Sequence, residues 1–167
     1  MAIKEILQLG NPSLYLKARP CRREELGQLQ KVVKDLHDTL LDFRARRGAG
    51  RAIAAPQIGI RKRLLYMYID KPLALINPEL VFPDDEMMEV WDDCMSFPGL
   101  LVRVQRYRRC RVRFFNLDWQ EEVMDIHDDL AELIQHEYDH LEGILAVSRA
   151  IDGKSFSLLS QKRFLNI

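Results

Sequence analysis

The sequence predicts an α+β fold in which mostly antiparallel strands pack around a central helix, with a further helix nearer the N-terminus. Three observations predict this fold. Residues 23–48 repeat apolar side chains at three- and four-residue steps, which is typical of a helix with one buried face. Short runs rich in β-branched and aromatic residues follow, as in strands. From Asp128 to Gly143 acidic residues open a segment that a glycine closes, which indicates the central helix.

The elements follow one another simply along the chain. The first helix is "REELGQLQKVVKDLHDTLLDFRARRG", in which His37 is interpreted as partly buried or solvated beside the apolar stripe. That stripe consists of Leu26, Leu29, Val33, Leu36, Leu40 and Phe43. After the basic loop "RARRGAGR", we expect strands at "RLLYMYI", "LALINPEL", "EVWDDCMS", "RVRFFNL" and "QEEVMDI". The central helix comes next, and a C-terminal segment, "SFSLLSQKRFLNI", follows it.

Length and composition indicate an ordinary globular protein. The 167 residues suit a single domain, 1–167, and 47% of them are apolar. The 25 basic and 25 acidic side chains cancel, so no general attraction to nucleic acid or to an anionic membrane is expected. No apolar run is long enough to span a membrane. The N-terminus resembles neither a signal peptide nor a transit peptide, so we expect a cytoplasmic protein whose cysteines, Cys21, Cys94 and Cys110, are reduced.

The segment "LIQHEYDHLEGIL" carries a metal-binding pattern. His136 and His140 are four residues apart in the central helix, so their rings project from one face about a turn apart. Leu133 shares that face, which marks it as the inward one. Two neutral imidazoles at this spacing can bind one cation. Glu137 lies one step round the helix, where a general base can touch a water on that cation.

The third ligand separates the classes of metalloprotein. A metzincin-type protease needs a histidine six residues after His140, where this chain has Ala146. A thermolysin-like enzyme needs a downstream acidic ligand, and only Glu142 and Asp152 follow, with no second helix at a suitable distance. Upstream, Cys94 lies at a predicted strand end in "WDDCMSFPG", whereas the other two cysteines are interpreted as buried thiols. A thiolate with two imidazoles leaves a fourth position for water, as in catalytic sites.

Three motifs resemble the signature of the peptide deformylase family and occur in the family's order: "GRAIAAPQIG", "DDCMS" and "QHEYDHLEGIL". The opening "ILQLGNPSLYLKARPC" is also similar to that family, and the resemblance covers nearly the whole chain. It implies a hydrolase of protein biosynthesis that removes the N-formyl group from the methionine of nascent peptides and releases formate.

The resemblance implies a role for each matched residue. One divalent ion, expected to be ferrous iron and replaceable by zinc, nickel or cobalt, is held by three ligands: Cys94, His136 and His140. Metal-bound water is the nucleophile, and Glu137 is the general base. The side-chain amide of Gln57 and the backbone N–H of Met95 stabilise the oxyanion.

The first two motifs depart from the family's pattern. Ala52 replaces a glycine. If the backbone at this position needs a left-handed conformation, alanine costs ~1–2 kcal/mol relative to glycine. If glycine is there to let the peptide approach closely, the methyl group of Ala52 obstructs peptide binding instead. Asp93 also replaces a glycine, and its charge next to the thiolate is expected to strengthen metal binding but raise the pKa of the bound water. Asp92 keeps a carboxylate, and Arg106 is placed to pair with it.

Other residues leave the substrate and partners open. Asp129 or Glu132, if it faces the side-chain pocket, would disfavour methionine. The alternatives to deformylation of formylmethionyl peptides are an amidase for another N-formyl substrate and a non-catalytic, metal-stabilised interaction module. Asp139 either orients a ligand histidine or faces solvent. The stretch "RVQRYRRCRVRF", taken as one strand, presents an arginine face that contacts ribosomal RNA or pairs with the chain's acids. No membrane partner or sequence-specific nucleic acid is expected.

Overall fold

The structure, a computed structural model, describes residues 3–165 and confirms the predicted α+β fold. Within these residues the helices are α1, Leu26–Arg47, and α2, Asp128–Leu141. The strands, in chain order, are β1 (Ala52–Ala54), β2 (Leu64–Tyr68), β3 (Pro72–Val81), β4 (Met87–Asp93), β5 (Leu100–Tyr107), β6 (Arg109–Phe115), β7 (Glu121–His127) and β8 (Phe156–Leu158). The first two and last two residues of the predicted domain, which include the end of the C-terminal segment, lie outside the described residues.

Two antiparallel sheets position the central helix. The larger sheet has the order β1-β2-β3-β6-β7, and the smaller has the order β4-β5-β8. Helix α2 contacts β1 and β7 of the larger sheet and β5 of the smaller one. It therefore lies between the two sheets, with its apolar side chains in the core.

Alternation along β2 explains how both helices bury a face against the same sheet. Leu65 packs with Leu133 and Ile134 of α2, whereas its neighbour Leu64 packs with Leu36 of α1. Successive strand residues point to opposite sides of a sheet, so α1 and α2 cover opposite faces of it.

The stripe predicted on the first helix is confirmed in part: α1 buries Leu29, Leu36 and Leu40 and leaves the other three residues of the stripe partly buried. It also buries Val32 and Thr39, which the prediction left out.

The sequence interpretation of "RVQRYRRCRVRF" as one strand is wrong. The chain bends at Arg108, and the segment divides between β5 in the smaller sheet and β6 in the larger one. The alternation within β6 is as predicted, with its arginines exposed and its cysteine, valine and phenylalanine buried. Each arginine of this face pairs with an acid: Arg109 with Asp84 (2.8 Å), Arg111 with Asp125 (2.7 Å) and Arg113 with Glu79 (2.5 Å). This face is a solvated sheet surface whose arginines pair with acids, as the second interpretation expects, and contact with ribosomal RNA stays a prediction.

The N-terminal segment ties the elements together. The N–H of Ala18 donates to the carbonyl of Leu141 at the end of α2 (2.8 Å). Gly143 has φ +72°, and a Cβ there would lie 2.6 Å from the carbonyl oxygen of Tyr15. Glycine is therefore required where the chain leaves α2 and passes under this segment. No helix in residues 3–165 is both long and apolar enough to cross a membrane.

Candidate metal centre

Two elements bring the predicted ligands together in the interior. Helix α2 carries His136 and His140 on its buried face, and Cys94 directly follows β4. One possible ligand atom from each residue lies within 4.8 Å of the other two, and Sγ of Cys94 is 3.3 Å from Nε2 of His140. All three side chains are buried. The structure thus places one sulfur and two ring nitrogens around a single point.

The donor set fits one divalent ion. In tetrahedral coordination with metal–sulfur and metal–nitrogen bonds of ~2.3 and ~2.0–2.1 Å, sulfur and nitrogen lie about 3.5 Å apart. The Cys94–His140 separation of 3.3 Å is close to that distance. Among the described residues, Oε2 of the buried Glu137 has no hydrogen-bond partner, as expected for an atom that faces a ligand. The residues therefore match a metal centre with an open position beside a carboxylate.

The charges of the two histidines also indicate a cation. Burial lowers the pKa of His136, but Asp92 and then Cys94 outweigh it and hold that pKa well above its usual range. Burial and the neighbouring charge of His136 hold the pKa of His140 well below its usual range. The buried acceptors beside His136 therefore favour positive charge at that place. A divalent ion would supply this charge.

The carboxylate of Asp92 contacts both the ring of His136 and the guanidinium of Arg106. Oδ1 of Asp92 lies 2.7 Å from Nδ1 of His136, although not along the direction of its N–H. Nη2 of Arg106 donates to the other carboxylate oxygen at 2.8 Å, and its Nη1 donates to Asp139 at 2.5 Å. Burial raises the pKa of Asp92, but His136 and Arg106 outweigh it, so that pKa stays below its usual range. Asp92 therefore pairs with Arg106, as predicted from the sequence.

Asp139 fits neither of the two alternatives considered from the sequence. It is buried, so it does not face solvent, and its carboxylate accepts hydrogen bonds from Arg106 and Arg149 rather than from a ligand histidine. Among the described contacts, Arg106 and Asp92 connect Asp139 to His136. Arg149, which no sequence pattern indicated, lies beyond α2 and donates to both oxygens of Asp139 at 2.6 Å.

Glu137 has the environment of a general base near neutral pH. Burial raises its pKa to about 7, and the charges of Asp92 and Asp93 add to the effect, while His136 and Arg51 oppose it. A base is most effective when its pKa lies near the working pH.

Gln57 and Met95 lie beside the ligands, and backbone hydrogen bonds orient them. The N–H of Ala54 donates to Oε1 of Gln57 at 2.9 Å, so the donor end of the amide points to Ser96 Oγ (3.2 Å) and Cys94 Sγ (3.6 Å). The carbonyl of Met95 accepts a hydrogen bond from Gln8 at 3.3 Å.

Backbone hydrogen bonds from the N-terminal segment hold the turns that contain Gln57 and Ser96. The N–H of Leu7 donates to the carbonyl of Gln57 at 2.8 Å, and the N–H of Leu9 donates to that of Ser96 at 2.7 Å. Hydrogen bonds between distant stretches of backbone leave no pattern in the sequence.

A cavity of about 310 Å³ opens onto this centre. Gln57, Cys94, His136 and Glu137 line its inner end. Gly50 at its side has φ +125°, and a Cβ there would lie 3.3 Å from Leu40 Cδ1. The cavity is the place where a substrate can meet the predicted ligands and Glu137 together.

The departures from the family pattern lie around the cavity. Ala52 belongs to β1 and is not among the residues with positive φ, so the left-handed cost considered above does not apply, and its methyl group lines the cavity instead. Asp93 is exposed at one side. Glu132 lines another side and pairs with Arg51, which also pairs with the exposed Asp129. The sequence did not single out Arg51.

The remaining cysteines and the helix histidine lie apart from the centre. Burial raises the pKa of Cys21 to about 11 and the pKa of Cys110 to about 11, so both are neutral thiols. They belong to different core clusters. Nδ1 of His37 is 2.6 Å from the hydroxyl of Tyr66, at the half-buried edge of α1.

Comparison with known proteins places the geometry in context. The family model described as polypeptide deformylase matches residues 3–155. A peptide deformylase of Heliobacterium modesticaldum is 39% identical over 150 residues, which cover 89% of this chain and 95% of the relative. The crystal structure of the Thermotoga maritima peptide deformylase aligns with a TM-score of 0.83 at 29% identity, covering 91% of this chain and 100% of that one. The Acinetobacter baumannii enzyme bound to Met-Ala-Ser aligns with a TM-score of 0.81 at 28% identity, covering 89% and 99%.

Proposed function

This chain belongs to the polypeptide deformylase family, and we propose that Cys94, His136 and His140 hold its catalytic metal ion. It is a metal-dependent hydrolase that removes the formyl group from the N-terminus of peptides. The observation that carries the assignment of residues is the convergence of one thiol and two imidazoles within 4.8 Å, beside the buried carboxylate of Glu137. We propose ferrous iron as the ion. A thiolate with two imidazoles also accepts zinc, nickel and cobalt, so the availability of each metal decides which one is bound.

When bound, the ion supplies a water molecule of lowered pKa and polarises the formyl oxygen. Glu137 takes a proton from the attacking water at Oε2, its carboxylate oxygen with no other partner among the described residues. The same carboxyl group then delivers this proton to the departing amide nitrogen, so that formate and a free amine are released.

Two groups are proposed to bind the oxygen that becomes negative. The donor end of Gln57 faces the ligand sulfur because Ala54 fixes the other end of the amide. The backbone N–H of Met95 is proposed as the second donor. Donors fixed before reaction stabilise the transition state without reorganisation, which is where such groups contribute most.

The experiment measures formate release from N-formyl peptides by protein loaded with iron under anaerobic conditions. We expect turnover by the unaltered chain. Glu137→Ala should keep the ion and the fold and lose turnover, because it removes only the base. A non-catalytic, metal-stabilised interaction module would release no formate either before or after this change. We propose that the enzyme acts on formylated peptides in the cytoplasm, and a contact with the ribosome stays a prediction.

A further inference from the structure

The cavity beside the metal ligands has one wall formed by an ion pair. Glu132 lies one helical turn before His136 on α2, and its side chain is only 12% exposed. Nη2 of Arg51, on the loop before β1, lies 3.5 Å from its carboxylate. Both residues line the cavity. We call Arg51 and Glu132 together the charged wall.

The charged wall lies within reach of a substrate's first side chain. Oxygens of Glu132 and Asp92 and a ring nitrogen of His136 all lie within 4.8 Å of one another. In an N-formyl amino acid, only the nitrogen and the α-carbon separate the formyl carbon from the side chain. A substrate whose formyl group reaches the ligands therefore places its first side chain in the same cavity, where the charged wall forms one side.

Above pH 7 the charges at the cavity leave an excess of acid, because burial raises the pKa of Glu132 to about 7 and its carboxyl group is ionised above that pH. The guanidinium of Arg51 forms ion pairs with both Glu132 and Asp129, and the contact with Asp129 is the shorter one. The long contact leaves Glu132 with acceptor capacity that Arg51 does not use. Asp93 adds a second carboxylate to the lining. Asp92 adds little to this excess because Arg106 neutralises it.

The apolar part of the lining suits the stem of a long basic side chain. Phe43, Leu133 and Met95 line the cavity together with Glu132. Lysine and arginine bury their methylene stems against apolar surface while the charged tip keeps polar partners. A methionine side chain would fill the apolar part but would cover the carboxylate of Glu132 without replacing its hydrogen bonds to water.

We propose that the charged wall selects N-formyl substrates whose first side chain is basic, in preference to formylmethionine. The proposal rests on the deformylase function proposed above and specifies its substrate. Glu132 is the attracting member, and Arg51, which competes for the same carboxylate, is the opposing member. The two residues therefore change the preference in opposite directions when each is neutralised.

The test compares kcat/KM of the iron-loaded enzyme for N-formyl-Lys-Ala-Ser and N-formyl-Met-Ala-Ser. We expect a lysine-to-methionine ratio above one. Glu132→Gln should lower this ratio by about tenfold or more, because the buried carboxylate is what recognises the ammonium group. Arg51→Gln should raise the ratio. Asp128→Asn is the matched control: its carboxylate lies on the same helix, exposed and paired with Arg108 outside the cavity lining, and the ratio should stay within about twofold.

A binding measurement keeps this test separate from that of the proposed function. The deformylated products Lys-Ala-Ser and Met-Ala-Ser are titrated calorimetrically into the same proteins, which requires no turnover. Tighter binding of the lysine peptide that Glu132→Gln abolishes would support the charged wall even if no formate were released, in which case the proposed function alone would fail. A lysine-to-methionine ratio of one or less in both measurements, or a ratio that Glu132→Gln leaves unchanged, would overturn the proposal.

Discussion

Replacing Arg106 with leucine tests whether the buried charges behind His136 act as one structural unit. The Arg106 side chain is 3% exposed and forms ion pairs with Asp92 at 2.8 Å and Asp139 at 2.5 Å. The change leaves Asp92 buried beside His136 alone, and Asp139 retains only Arg149. Removing one partner of a buried pair costs about 3–5 kcal/mol. Because His136 and Arg149 still compensate the two carboxylates in part, we expect a loss at the lower end of this range.

This loss would be a large share of a total stability of about 5–15 kcal/mol. Urea denaturation of the metal-free protein measures it, so that metal binding does not contribute to the result. Arg103→Leu is the matched control on the same strand: its side chain is 33% exposed and its contacts are 3.3 Å and 3.9 Å long, so about 1 kcal/mol or less should be lost. Metal affinity should also fall by about 10–100-fold in Arg106→Leu, since Asp92 would no longer be held against His136. Equal losses from the two variants would refute the argument.

Further predictions concern the base, the amide and the thiols. Gln57→Ala should lower kcat by about 10²–10³ with the metal content unchanged, and an equal loss of metal would contradict its proposed role. Activity should rise with pH as Glu137 loses its proton. Asp93→Asn should shift this rise to lower pH, because it removes a charge that raises the pKa of Glu137. The dependence of kcat/KM on pH measures both effects. Burial raises the pKa of the Cys110 thiol from 9.0 to about 11, so the folded protein holds this proton more tightly than the unfolded chain. The free energy of unfolding should therefore fall as the pH rises from 9.0 to about 11. Urea titrations measure this fall, which should be less steep in Cys110→Ala. After the metal is removed, iodoacetamide should alkylate Cys94 before Cys21 or Cys110, and metal should protect Cys94; equal labelling of all three would contradict this.

The sequence revealed the parts of the site that depend on local periodicity. The spacing of His136 and His140 places both rings on one helical face in any α-helix, so their proximity needed no tertiary information. Cys94 was predicted as a ligand by elimination and resemblance, because it lies 42 residues before His136 and only folding brings the two together.

What the sequence did not reveal depends on contacts between distant segments. The break between β5 and β6 falls at Arg108, in an unbroken run of strand-forming and basic residues without glycine or proline, so no turn residue marked it. The partnership of Arg51 with Glu132 joins residues 81 apart. The same holds for Leu7 and Leu9, which hold the turns of Gln57 and Ser96 through backbone groups that every residue possesses.

Anomalous X-ray diffraction from crystals grown anaerobically with iron tests the metal centre most directly. Collected on both sides of the iron absorption edge, it should show one peak bonded to Sγ of Cys94 and to one ring nitrogen each of His136 and His140, with the carboxylate of Glu137 nearby but not bonded. A peak elsewhere on the chain, or one that leaves out the sulfur, would contradict the assignment of these residues.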